Sequence, residues 1–334
     1  MSSSQFFEIR INSVSPNSVL TFDIYLMVNS KSILFRKKGE LLTPDRLKTL
    51  AKHGGEKFLV PEEQRVDYLA SIQNMIKNPS TSTEEKAKFI KESAFLHLHE
   101  LFTKQDISQV LNDATNLVVE MVDFVSTDVA AAASLMRLSI HDYYTYNHCV
   151  DVGVYSIVLA KKLFGGDKDI LIKAGLGGLL HDIGKRNIDF NIINKKSALT
   201  PEEWEEVKRH PEYGIEFIKD IPSIPEDAKS VVIEHHENFD GTGYPKGLQG
   251  DEISKLARLV SIADVFDALT TNRSYHKAVG PDEALNIMYG MQPGKFDPNI
   301  FKSFDKNFST KSNLQLPEGF DPCAPQKFPL KKAA

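Results

Sequence analysis

Cysteine is nearly missing from this chain. Its 334 residues include two, Cys149 and Cys323, far apart and without a CxxC spacing, which argues against a disulfide framework and a cysteine-based zinc site. A basic excess is missing as well: 40 Lys and Arg stand against 45 Asp and Glu, a formal net charge of −5. No overall positive field exists to hold a long nucleic acid, so an anionic ligand has to be met by local cations or metals. Long apolar runs are also lacking. No stretch reaches the roughly 18 uncharged apolar residues of a membrane span, and the opening MSSSQFFEIRIN has neither the basic start nor the apolar core of a secretion signal. These absences predict a soluble chain of the reducing cytoplasm, with no membrane partner. What is present, 41% hydrophobic and 25% charged residues, is ordinary globular composition with length enough for two domains.

Residues 6–36 alternate apolar and polar positions in FFEIRI, VLTFDIYLMV and SILFRK, which predicts short strands. TPDRLKTLAKHGG follows with a Thr cap, a Pro at the first helical position and a Gly stop, then a strand over EKFLV and a helix over EEQRVDYLASIQNMI. This gives a small α+β domain over residues 1–76 with no evident chemistry. The polar KNPSTSTEE opens a linker and connecting helices over 77–125. From there the chain reads as helical almost to residue 310, including one periodic stretch over 129–164 in which Val150, Val154, Ile157 and Val158 share a stripe. The proline-bearing tail, 311–334, reads as an extended arm. The fold expected is mainly α, a helical bundle behind a small α+β N-terminal domain.

The chemistry lies in the second half. His148, His181, Asp182, His210, His235, His236 and Asp264 sit at helices or helix ends among apolar helices. Taken singly, a histidine in an apolar helix is more often a hydrogen-bonded core residue than a ligand, and DGTGYPKG alone reads as turn chemistry. Taken jointly, imidazoles and carboxylates in this number suit divalent Fe, Mn or Zn and exceed what one ion needs. Asp182, directly after His181, is placed to bridge two ions, which could share a hydroxide and direct it at phosphorus. Lys185 lies one turn beyond His181 and can face an anion. LTPEEWEEVKRHPEYG starts with a capping box, Thr200 to Glu203, and ends its helix at His210 before Pro211. Asp264 stands in a strongly apolar helix, where a carboxylate needs a partner.

The series YTYNH, HDIGK, RHPEYG, HHENFDGTGYP and ARLVSIADVFDALTTNRSY, in this order over 126–310, resembles the HD-GYP domain, a branch of the HD metal-dependent phosphohydrolases that degrades bacterial cyclic di-GMP. The resemblance implies an HD-superfamily helical bundle and two divalent ions, iron in first place and manganese as the alternative. One ion would be held by His148, His181, Asp182 and Asp264, the other by Asp182, His210, His235 and His236. Lys185 would contact the scissile phosphate, and Arg273 would clamp a phosphate or guanine. Gly243, Tyr244 and Pro245 form the motif that names the family, a surface loop that would order the site or meet GGDEF-domain proteins.

Two departures bear on these expectations. Family members that bind a third metal carry a Glu four residues before the first histidine, where this chain has Tyr144, so two ions are expected. Where the family often reads RPYRK, this chain has Ser274, Tyr275, His276 and Lys277, leaving Lys277 as the substitute cation. The leading expectation is a phosphodiesterase that opens cyclic di-GMP to pGpG, GMP or both, with a homodimer admissible. The alternatives are a cyclic-dinucleotide receptor signalling through the GYP loop, or an HD phosphohydrolase for another nucleotide.

Overall fold

The computed structural model describes residues 5–10, 14, 18–29, 31–45, 57–127, 129–138, 145–193, 195, 197–271, 277–292 and 294–308. The chain divides into two compact units, Met1–Ser93 and Ala94–Ala334. In the first, β1 (Phe6–Arg10), β2 (Ile24–Val28), β3 (Lys31–Arg36) and β4 (Lys57–Pro61) make one antiparallel sheet in the order β1-β4-β2-β3. Alternation in FFEIR decides its faces. Phe7 and Ile9 are buried and lie opposite Val60 and Phe58 of β4, so the apolar sides of both strands coincide. Helix α1 (Arg65–Lys77) covers this side with Tyr68 and Ile72, the Tyr68 ring meeting Phe7 at 5.5 Å and Phe22 at 5.0 Å. Of the expected strand VLTFDIYLMV only the second half is β2; Val19 makes an isolated bridge to Leu41. The helix expected over TPDRLKTLAKHGG lies, beyond Asp45, outside the described residues.

Helix α2 (Thr83–Thr103) contains the boundary between the units. The second unit continues with α3 (Ser108–Thr127), α4 (Val129–Arg137), α5 (Thr145–Phe164), α6 (Lys168–Leu180) and the short α7 (Phe190–Ile193). Then come α8 (Pro201–Lys208), α9 (His210–Ile218), α10 (Glu226–Glu234), α11 (Lys255–Thr270), α12 (Pro281–Gly290) and α13 (Pro298–Phe308). The apolar stretch expected over 129–164 is thus two helices. Helix α3 buries Leu111, Ala114, Val118, Met121 and Val125 at spacings of three and four. Helices α6 and α11 are buried on nearly every side, as befits the centre of a bundle. Where α5 and α6 meet, Gly153 and Gly178 face one another, so the two backbones come close just ahead of His181. Among the described residues no helix is long and apolar enough to cross a membrane.

Candidate metal centre

His148 comes from the first turn of α5, His181 ends α6 with Asp182 next, and His210 opens α9. His235 ends α10 with His236 next, and Asp264 lies within α11. The capping box on α8 is present as the sequence predicts, with Thr200 and Glu203 bonded reciprocally. The helix does not simply stop at His210, however. Pro211 lacks an N–H and clashes with a preceding turn, so α8 closes at Arg209 and a new helix starts at His210.

Three of the rings are oriented by the helix that precedes them. Nδ1 of His181 bonds the Gly178 carbonyl at 2.8 Å, that of His210 the Val207 carbonyl at 2.8 Å, and that of His235 the Val232 carbonyl at 3.1 Å. A carbonyl only accepts, so Nδ1 carries the proton and Nε2 presents its lone pair inward. His148 is held instead by Asp267, a fully buried carboxylate whose Oδ2 lies 2.7 Å from Nδ1 and whose Oδ1 accepts from the Thr271 hydroxyl at 3.2 Å. Such partners behind a ligating imidazole fix its tautomer and raise its basicity.

The seven residues then fall into two groups. The donor atoms of Asp182, His210, His235 and His236 lie within 4.8 Å of one another, as do those of His148, His181 and Asp264. Asp182 stands between them. Its Oδ1 is 3.3 Å from His210 Nε2 and 3.9 Å from His235 Nε2. Its Oδ2 is 3.3 Å from His181 Nε2, 3.9 Å from His148 Nε2 and 2.6 Å from the ammonium of Lys185.

These residues fit divalent metal ions. The Nε2 atoms of His210 and His235 are 3.1 Å apart, lone pair against lone pair once both protons are on Nδ1. Two donors set at right angles about 2.0–2.1 Å from one ion are themselves about 3 Å apart. His181 Nε2, Asp182 Oδ1 and Asp264 Oδ1 are buried and have no hydrogen-bond partner among the described residues, whereas buried polar atoms normally have one. A cation satisfies acceptors that no donor reaches. The donor set, imidazole nitrogen and carboxylate oxygen, suits iron, manganese or zinc. Cys149 lies beside His181 and Asp182, and burial pushes its thiol well above the usual range.

Charge states agree with this use. Burial pushes His235 down to about 3 and His210 well below the ordinary histidine value, leaving neutral rings. Burial alone would raise the Asp182 carboxyl, but His181 and Lys185 beside it outweigh that and hold it well below the usual carboxylate range. Asp264 is likewise held down against its burial, by the His148 and His181 rings beside it. Neutral imidazole and ionised carboxylate are the forms that bind metal.

Lys185 is buried within a single 3₁₀ turn, Ile183–Asn187. Gly184 makes that turn possible, because a Cβ there would lie 1.8 Å from the His210 carbonyl oxygen. The turn therefore seats directly on the start of α9. The expected loop at Gly243, Tyr244 and Pro245 folds back over the paired histidines. A Cβ on Gly243 would lie 2.2 Å from the Asn238 nitrogen, the Tyr244 amide bonds the His236 carbonyl at 3.2 Å, and the Tyr244 ring stacks on the His236 ring at 4.8 Å. Trp204 meets Tyr244 edge-on at 6.3 Å. The buried Glu237 carboxylate closes the loop by accepting from the amides of Lys246 and Leu248 at 2.7 and 3.0 Å. Lys277 is exposed, and Arg273 with Ser274, Tyr275 and His276 lies outside the described residues, as does Tyr144.

Sequence reasoning missed Asp267 and Glu237. Asp267 had a readable signal, a second carboxylate three residues after Asp264 and thus on nearly the same helix face. Glu237 had none, since its partners lie across a loop.

Residues 155–300 match the family described as HD domain. The segment 155–300 belongs to the HD-domain family. The matched segment holds six of the seven clustered residues and starts just after His148. The HD-domain chain is 36% identical over 256 residues to the cyclic di-GMP phosphodiesterase PA4108 of Pseudomonas aeruginosa, covering 74% of this chain and 61% of that protein. It is 37% identical over 180 residues to the 3'3'-cGAMP-specific phosphodiesterase 3 of Vibrio cholerae, covering 53% of this chain and 39% of that one. The chain therefore spans less than two thirds of the length of either relative. Among solved structures, Bd1817, a HDG"Y"P protein from Bdellovibrio bacteriovorus, superposes with a TM-score of 0.70 at 23% identity, over 90% of this chain and 99% of that one. The HD domain thus has the HD-GYP fold.

Proposed function

We propose that this HD domain binds two divalent ions and hydrolyses the phosphodiester bonds of cyclic di-GMP, giving pGpG, GMP or both. The observation that carries the reading is the division of the Asp182 oxygens between two buried donor groups. His148, His181, Asp182 and Asp264 would hold one ion, and Asp182, His210, His235 and His236 the other, iron first and manganese second. When bound, such ions supply Lewis acidity and a strong nucleophile from water at neutral pH. Lys185 keeps Asp182 in place and sets a positive charge and an N–H donor at the wall of the site, where negative charge builds on a phosphoryl oxygen. Arg273 and the exposed Lys277 are assigned to the phosphates or bases of the ligand. Asp267 holds His148 in register, and the Tyr244 ring confines His236.

Two named relatives support a phosphodiesterase and differ in substrate, so 3'3'-cGAMP is the second candidate. We place the catalytic domain at 126–310 and a regulatory or sensory role in 1–76, with 77–125 between them, and expect the chain to act in the cytoplasm. The exposed rim of the loop, Thr242, Lys246 and Gly247, is the surface it offers to a GGDEF-domain protein. The test is anaerobic turnover by protein reconstituted with Fe(II) or Mn(II), with metal counted on the same sample. Two ions per chain with steady pGpG or GMP from cyclic di-GMP is the expected result. Product from 3'3'-cGAMP alone would reassign the substrate, and two ions without product from either would overturn the enzyme reading.

A further inference from the structure

Arg186 follows Lys185, yet it does not face the metal centre. Its Nη1 donates to the Leu101 carbonyl and its Nη2 to the Lys104 carbonyl, both at 2.6 Å. Both carbonyls lie at the C-terminal end of α2, where backbone acceptors have no intrahelical partner and a cation is favoured. The guanidinium also lies over the Phe217 ring of α9 at 4.7 Å. Arg186 thus fastens one short turn to two helices.

We propose that Arg186 is a positioning residue that holds Lys185 against Asp182 by tying the 183–187 turn to the end of α2. The turn is too short to yield locally. Lys185 N bonds the Asp182 carbonyl at 3.0 Å and Ile188 N bonds the Lys185 carbonyl at 3.1 Å, while Gly184 is pressed on α9 from the other side. Displacing Arg186 shifts the backbone that carries the Lys185 ammonium, 2.6 Å from Asp182 Oδ2. Helix α2 supports the other half of the centre as well. Its Phe95, His99 and Phe102 surround Tyr146 at 5.6, 5.6 and 5.4 Å, two residues before His148. Arginine reaches the two carbonyls through separate nitrogens of one planar fork, a spacing that the single nitrogen of lysine does not reproduce.

The kinetic part of this inference rests on the proposed hydrolysis; the exchange part does not. Hydrogen–deuterium exchange on the metal-free full chain should show the 183–188 amides of Arg186→Met exchanging at least about tenfold faster than in the parent. With Mn(II) and cyclic di-GMP, Arg186→Met should keep its metal content and lose about ten- to a hundredfold in kcat. In a Lys185→Met background the same substitution should cause almost no further loss, because both changes then act on one group. Arg186→Lys, which keeps the charge, should fall between the two and serves if Arg186→Met does not fold. Unchanged exchange in the turn, or an equal loss of kcat with and without Lys185, would overturn the assignment. If the parent hydrolyses no cyclic dinucleotide, the proposed function fails and exchange alone decides the role of Arg186.

Discussion

Asp182→Ala is expected to load less than one metal ion per chain and to show no detectable turnover of cyclic di-GMP. Both donor groups close through this carboxylate, Oδ1 on the His210 side and Oδ2 on the His181 side, so the substitution opens both at once. Neither three imidazoles alone nor His148, His181 and Asp264 alone retain the bridge that keeps two ions adjacent. The change also strands the Lys185 ammonium, 4% exposed, without its nearest counter-charge. Removing one partner of a buried ion pair costs about 3–5 kcal/mol, which should appear as an earlier denaturant midpoint of the metal-free variant. Elemental analysis and unfolding of the same preparation check both halves, and a variant that still binds two ions would rule Asp182 out as the bridge.

Lys185→Met separates chemistry from metal binding. The ammonium is no candidate ligand, and methionine fills most of its volume, so two ions should still load. What disappears is the preorganised charge that the proposed function sets beside the reacting phosphate. A single such donor is typically worth about 10²–10³ in kcat, and a loss of that size with little change in metal content is the expected outcome. Burial lowers the affinity of Lys185 for its proton, and Asp182 counters that shift. The two residues form one buried ion pair at 2.6 Å, and the two substitutions should not be additive. Parent-like turnover in Lys185→Met would end the role given to it.

Much of this centre could be read from the chain because most of its candidate ligands sit at or next to helix termini. A histidine just after an apolar helix, as at 181 and 235, brings a carbonyl three residues back within reach of its own Nδ1, so local sequence both places and orients the ring. Pro211 and the Thr200 box marked the ends of α8 in the same local way. The return of the 243–245 loop was not legible. It depends on Glu237 gathering amides nine and eleven residues away, and such a bond has no periodic signature. The stretch over 129–164 read as one because apolar spacing continues through both α4 and α5 and carries no mark of where the first helix ends. Arg186 was passed over for the opposite reason: HDIGK draws attention to the lysine, while the partners of the next residue lie more than eighty positions earlier.

Trp204 is the only tryptophan in the chain, and it stands edge-on to the Tyr244 ring that covers His236. Indole emission from this protein consequently has one origin, two rings removed from a candidate ligand. A paramagnetic ion entering beside His236 would quench that emission, whereas unfolding or movement of the first unit adds no second indole signal. The protein carries its own optical gauge of how far the centre is filled.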